Sequence, residues 1–187
     1  MRVIAGKYRS RRLRPPSGTE TRPTSDRLRE TLFNVLCAGN PDALEGSAWV
    51  DLYAGTGAVG IEALSRGAAL VYFVDVSRAA TTLIAANLAS LGIESGFRIV
   101  TEDAARALPR LRAAEGLADY VFLDPPYTLR DEYARAFKAL AEAKFLRPEG
   151  LVIVEHEKKF DPGKSFAEFS RYRELQQGDA ALSFYRR

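Results

Sequence analysis

The sequence predicts an α/β fold: a mostly parallel sheet of seven strands with one antiparallel strand, plus a small N-terminal extension. Three observations carry this. From Ala48 onward, short apolar runs alternate with helical stretches, the βαβα rhythm of a parallel sheet covered on both faces. The run Gly55-Thr56-Gly57-Ala58-Val59-Gly60 follows the first of these strands and opens a helix. Near the end, two strand-like runs flank Gln177-Gly178-Asp179, so the chain finishes strand on strand. That ending sets one antiparallel strand near the edge of the sheet.

Taken in order, residues 1–14 read as short strand pieces around Gly6 (Val3-Ile4, then Arg12-Leu13), a hairpin in outline. Pro15-Pro16-Ser17-Gly18 breaks regular structure. A helix capped by Thr24 or Ser25 runs to about Leu36, with Leu28, Leu32 and Leu36 on one docking face, Arg27 and Glu30 solvated, and Arg29 free to point either way. Strands are expected over Trp49–Tyr53, Leu70–Asp75, Phe97–Val100, Tyr120–Leu123 and Leu151–Glu155. Between them lie helices over Val59–Arg66, Arg78–Leu91, Ala104–Leu111 and Asp131–Ala143. Tyr172–Gln176 and Ala181–Tyr185 complete the seven strands. The chain divides into a basic extension, residues 1–40, and a catalytic body, residues 41–187.

With 187 residues, 47% hydrophobic and 27% charged, the chain has the composition of a globular protein able to bury a core. No apolar run approaches a membrane span and no secretory signal opens the chain, so a cytoplasmic protein is expected. One cysteine (Cys37) and one histidine (His156) exclude an intrachain disulfide and a Cys/His zinc site; no metal is expected. His156 and Cys37 are read as structural and packing groups. The net charge of +3 is unevenly spread: residues 1–34 hold nine basic groups against three acidic ones, and the remainder is acidic on balance. Such an arm suits a polyanion, and Arg2, Arg9, Arg11, Arg12, Arg14, Arg22, Arg27 and Arg29, with Lys7, supply planar forks more than point charges.

The glycines let the backbone turn sharply and approach a ligand closely. That pattern also serves nicotinamide cofactors, so the neighbouring charges decide. Asp51, just ahead of the loop, would repel a pyrophosphate but favours a ligand with an ammonium and a sulfonium, as in S-adenosylmethionine. Asp75 ends the second strand, 24 residues later, where an acid can accept from both ribose hydroxyls. Asp103 follows the third strand and can meet the adenine amino group. Each acid also has a structural reading: Asp51 as a turn anchor, Asp75 and Asp103 as helix caps. Glu62, on the first helix after the loop, reads as a surface residue.

Asp124-Pro125-Pro126-Tyr127 ends the fourth strand. In an open α/β sheet, ligands sit beyond the strands' carboxyl ends at the topological switch. If strands one and four are neighbours there, Asp124 faces the methyl donor. Asp124 and the Pro125 carbonyl would each accept one N–H of an aromatic amine, contacts that strengthen as charge develops on nitrogen. The proline pair fixes that carbonyl, and Tyr127 would stack on a base drawn out of its helix.

Assembled, these residues resemble the bacterial 16S ribosomal RNA guanine-N2 methyltransferase family (RsmD-like). The likeness covers nearly the whole chain: Arg2–Lys7 with Arg9–Leu13, Thr21–Thr24 with Arg29-Glu30 and Leu32–Asn34, Asp51–Gly60 with Glu62–Ala68, and Asp124–Tyr127 with Val154-Glu155. The resemblance implies a Rossmann-like class I S-adenosylmethionine-dependent methyltransferase fold. It implies transfer to the N2 of one guanine of 16S rRNA in the small ribosomal subunit. The donor would lie on Asp51, Tyr53, Ala54, Gly55, Thr56, Gly57, Asp75, Val76, Asp103 and Ala104. The guanine would meet Asp124, Pro125, Pro126 and Tyr127. RNA contacts would come from Arg2, Lys7, Arg9, Arg11, Arg12, Arg14, Arg22, Thr24 and Arg29. A monomer suffices for a target on so large a partner.

From the residues alone, three alternatives stay open. Asp-Pro-Pro-Tyr would serve the N6 amine of adenine in DNA equally well, since phosphate attraction carries no sequence information. An RNA-binding assembly factor with an idle methyl-donor site is the second. A nicotinamide oxidoreductase, resting on the glycine loop alone, is the third.

Overall fold

The structure, a computed structural model, describes residues 1–16 and 25–187. Arg22 and Thr24 therefore lie outside the described residues. Ser25 caps the first helix, α1 (Asp26–Leu36), its hydroxyl accepting from the Leu28 amide at 3.1 Å. Then follow β1 (Ala48–Leu52), α2 (Ala58–Ser65), β2 (Leu70–Asp75), α3 (Arg78–Leu91) and β3 (Phe97–Thr101). The order continues with α4 (Ala104–Glu115), β4 (Ala118–Leu123), α5 (Asp131–Ala143), β5 (Leu146–Glu157), β6 (Ser165–Phe166), β7 (Phe169–Gln177) and β8 (Ala180–Arg186).

The strands form one sheet in the order β3-β2-β1-β4-β5-β8-β7-β6. β1 to β5 are parallel; β8 runs antiparallel to β5 and β7, and β6 antiparallel to β7. Eight strands thus replace the seven expected, and two of them run against the rest. The addition, β6, is only two residues long, too short to show alternation, and Ala167 at φ 47° turns it straight into β7. β5 also begins five residues earlier than its apolar run. Pro148 and Gly150 mask this in the sequence, and the register against β4 shifts across them.

Strand alternation sorts the core into two layers. Trp49, Val71, Phe73, Phe122, Ile153 and Phe184 face one side, where α1, α2 and α3 pack with Leu28, Leu32, Phe33, Ile61, Ile84 and Leu88. Val50, Tyr72, Val74, Val121, Val152 and Tyr185 face the other, under α4 and α5 with Leu108, Phe137 and Leu140. Burial of this apolar surface is the main stabilising term.

The N-terminal hairpin is docked on the body. Arg2 and Arg12 form an antiparallel bridge, and Val3 and Leu13 join the first core layer. The turn between them lies against α2: the Ile4 and Ala5 amides donate to Glu62 at 2.8 and 2.9 Å, and the Lys7 amide to the Ser65 carbonyl at 2.7 Å. Gly6, at φ 77°, is required here because a Cβ would sit 1.8 Å from the Ser65 carbonyl oxygen. Glu62 is consequently a fully buried anchor, not a surface residue; four partners, the two amides with Arg29 and Arg66, compensate its charge.

Candidate active site

β1 leads into the glycine loop. Tyr53 adopts a left-handed φ of 61°, Gly55 54° and Gly57 74°, so the chain reverses within five residues before α2 starts. At Gly60 a Cβ would approach Phe73 to 2.4 Å, so the third glycine brings α2 onto the sheet. Asp51 is buried, and one carboxylate oxygen accepts from the Gly60 amide at 2.9 Å. Burial raises its pKa to about 8, helped by the charges of Asp75 and Glu155 and opposed by the Gly60 hydrogen bond. Asp51 therefore anchors the turn while lying under the loop.

Asp75 holds the same loop from β2. One oxygen accepts from the Gly55 amide at 2.9 Å and the other from the Ser77 amide at 2.8 Å. The cap of α3 is Ser77, so the capping role considered for Asp75 falls to its neighbour. Val76 projects into solvent, 73% exposed, beside that carboxylate. Asp103 does cap α4, accepting from the Arg106 amide at 3.2 Å, and it also pairs with Arg135 of α5. Ala104 is buried behind it.

The fourth-strand corner reaches the same edge. Leu52 pairs with Leu123 in parallel register, and the Asp124 amide makes a long hydrogen bond to the Leu52 carbonyl (3.5 Å). The glycine loop and Asp124–Tyr127 are thus direct neighbours at the β1/β4 switch, where strand order reverses. Pro125 is buried, Asp124 and Tyr127 are half-buried, and Pro126 is exposed, its carbonyl closing a turn with the Leu129 amide at 2.8 Å. His156 is buried and hydrogen-bonds Ser183 Oγ at 2.9 Å, a packing role.

Three residues that sequence reasoning does not select belong to this edge. Glu132 accepts the Tyr53 hydroxyl at 2.7 Å, Arg135 links Glu132 to Asp103, and Tyr133 donates to the Glu155 carbonyl at 3.2 Å. Their only sequence signal is an acid and a base three apart at the start of α5, directly after the Asp-Pro-Pro-Tyr corner.

Among the expected RNA contacts, Arg2, Lys7, Arg9, Arg11, Arg12 and Arg14 are all exposed on the docked hairpin. Arg29 is not. It is fully buried, donating to the Arg2 carbonyl and to Asp26 at 2.9 Å, with Glu62 3.7 Å away. Its helical position faces the core with Leu28, Leu32 and Phe33, so it holds the hairpin down and cannot reach RNA. The hairpin also touches the glycine loop: buried Asn87 accepts from the Arg14 amide at 2.8 Å and donates to the Thr56 carbonyl at 3.0 Å.

The family model described as Conserved hypothetical protein 95 matches residues 1–186. The chain belongs to that family. Ribosomal RNA small subunit methyltransferase D of Escherichia coli (strain K12) is 35% identical over 187 residues, spanning 100% of this chain and 90% of that protein. The solved structure of the Thermus thermophilus hypothetical protein TTHA0928 is 28% identical, with a TM-score of 0.81 over 98% of both chains. A more distant structure, SMU.776 in complex with SAH, shares the fold at 16% identity, with a TM-score of 0.69 over 89% of this chain and 50% of that one. The match to the family model runs through the hairpin as well as the sheet.

Proposed function

We infer that this chain is an S-adenosylmethionine-dependent methyltransferase acting on the exocyclic N2 of a guanine in 16S rRNA, within the small ribosomal subunit. The observation that carries the reading is the shared edge of the glycine loop and Asp124–Tyr127 at the β1/β4 switch. The residues fit the donor chemically. A buried carboxylate at Asp51, raised to about 8, is relieved by a cationic ligand. An exposed valine beside Asp75 suits the face of an adenine, with Asp75 accepting from the ribose and Asp103 from the adenine amine. When bound, the donor supplies an electrophilic methyl carbon and leaves as a neutral thioether.

The chain's own task is positioning. Asp124 and the Pro125 carbonyl each accept an N–H, orienting the amine nitrogen and stabilising the charge that develops on it. Tyr127 stacks on the base. The exposed cations of residues 1–40 bind RNA phosphate for the body formed by residues 41–187, and a monomer suffices. No helix among the described residues is long and apolar enough to cross a membrane, and the reaction is assigned to the cytoplasm.

The decisive experiment incubates the protein with radiolabelled donor and, separately, naked 16S rRNA, small subunits lacking the modification, and duplex DNA. Label recovered as N2-methylguanosine from the particle supports the reading; N6-methyladenine in DNA, or no label, overturns it. Asp124→Ala should lower turnover about 100-fold while donor affinity holds.

A further inference from the structure

Glu155 has no part in the chemistry above, yet it sits beside it. The registers align Asp51, Phe122 and Ile153 across β1, β4 and β5, then Leu52, Leu123 and Val154. Continued by one residue past the end of β4, that register sets Asp124 beside Glu155. Phe122 and Ile153 face the first core layer, and Leu123 and Val154 the second. Alternation therefore turns Asp124 and Glu155 back toward the first side. Asp124 keeps that direction because a residue before proline is confined to extended backbone. Two acidic residues thus lie on one side of the sheet, on neighbouring backbones about 4.8 Å apart. Glu155 is only 4% exposed, and its backbone is held by the Tyr133 hydroxyl. Burial, followed by the charges of Asp124, Tyr127, Glu155 and Glu157, pushes the Tyr133 phenol upward.

A second carboxylate here adds acceptor oxygens that an apolar residue would not. What it fits is an edge with two adjacent donors. Guanine presents N1–H next to its N2 amine; adenine presents a lone pair at N1 next to its N6 amine. Resting on the proposed function, we propose that Glu155 is a specificity-determining residue, accepting the guanine N1–H while Asp124 accepts from the N2 amine. An adenine turned into the same place would set its N1 lone pair against a carboxylate. The pair of acids then separates N2-guanine from N6-adenine transfer, which Asp-Pro-Pro-Tyr alone does not.

The test uses 2-aminopurine, which keeps the amine and loses the N1 hydrogen. Small subunits are reconstituted with guanosine or 2-aminopurine at the methylated position, and kcat/KM is measured for the wild type and Glu155→Gln. The wild type should favour guanosine by at least about 100-fold, because a site built around a hydrogen bond rejects the analogue lacking it. Glu155→Gln can turn an amide N–H toward the N1 lone pair and should narrow the preference below about 10-fold. Donor binding, read by calorimetry, should persist and reports an intact fold. A wild type that treats both bases alike overturns the proposal without needing the variant; so does a variant that loses both equally. A wild type that methylates no guanosine at all overturns the proposed function as well, which sets that failure apart from the others.

Discussion

Arg135 holds Asp103 at two points, Nη1 2.8 Å from Oδ2 and Nη2 2.6 Å from Oδ1. The same guanidinium donates to Glu132 at 2.9 Å, and Glu132 in turn accepts the Tyr53 hydroxyl at 2.7 Å. A continuous chain of charge-assisted bonds therefore runs from the cap of α4, across α5, to the first residue beyond β1. Tyr53 is the non-glycine residue with a left-handed backbone in the donor loop, and this chain fixes its side chain. α5 begins four residues after Tyr127, so the glycine loop and the Asp124–Tyr127 corner are tied through one helix.

Asp103 has two duties that substitution can separate. Asp103→Asn retains an oxygen for the Arg106 amide and should melt close to the wild type. Asp103→Ala also loses the cap, at about 1 kcal/mol. Both lose the charge that pairs with Arg135 and that the proposed function sets against the adenine amine, and both should bind S-adenosylmethionine about 10-fold more weakly by calorimetry. Unchanged affinity in both variants would confine Asp103 to the helix.

Asp51 is expected to make donor binding depend on pH. Its pKa of about 8 lies above the 3.8 of the free side chain, so the folded chain holds a proton that the unfolded chain has released. The resulting stabilisation is complete below 3.8 and is lost as pH rises through about 8. An ammonium and a sulfonium favour the ionised form, so binding at pH 7 should expel up to about one proton. Affinity should climb with pH until about 8 and then level. Calorimetry in two buffers of different ionisation enthalpy counts the proton, and Asp51→Asn should release none. Absence of release in the wild type would remove Asp51 from the donor's surroundings.

Arg29 is expected to matter for folding and not for RNA. Arg29→Ala strips a buried partner from Glu62 and Asp26 and should destabilise the protein by about 3–5 kcal/mol in denaturant titration. RNA affinity of the folded fraction should be unaffected. A variant as stable as the wild type but weaker on RNA would restore the surface role that the sequence suggests.

Legibility follows the physics. Ser25 as one of two candidate caps and the docking face of Leu28 and Leu32 are readable because capping and periodicity are local signals, whereas the β1/β4 adjacency, a condition in the sequence reading, comes from the strand order. Glu62 and Arg29 mislead because charge normally marks a surface; their burial depends on the hairpin amides at Ile4 and Ala5, nearly sixty residues away from Glu62 in sequence. Glu132 and Arg135 stay hidden for the same reason, and Glu155, though part of the resemblance, receives no role from the sequence. Each acquires meaning only from register or helix packing, which no single-segment pattern encodes. β6 escapes notice because two residues cannot display a period.

The docked hairpin makes a quantitative claim about RNA. Arg9, Arg11, Arg12 and Arg14 are exposed, and the hairpin that carries them is tied to α2, to Asn87 and to the Ser90 carbonyl, which accepts from Arg11 at 2.8 Å. Cations on a fixed support meet phosphates without a large ordering cost, and each contact releases condensed counterions. Binding to 16S rRNA should therefore weaken linearly in log–log against salt. Arg9→Ala with Arg12→Ala, which spares the Arg11 bond, should flatten that slope by about 1.4 to 1.8 if both meet phosphate. Donor affinity should not move, because neither side chain touches the glycine loop, and turnover at saturating RNA should stay near that of the wild type. A slope unchanged by the double substitution would mean that these arginines are solvated and that RNA is gripped elsewhere.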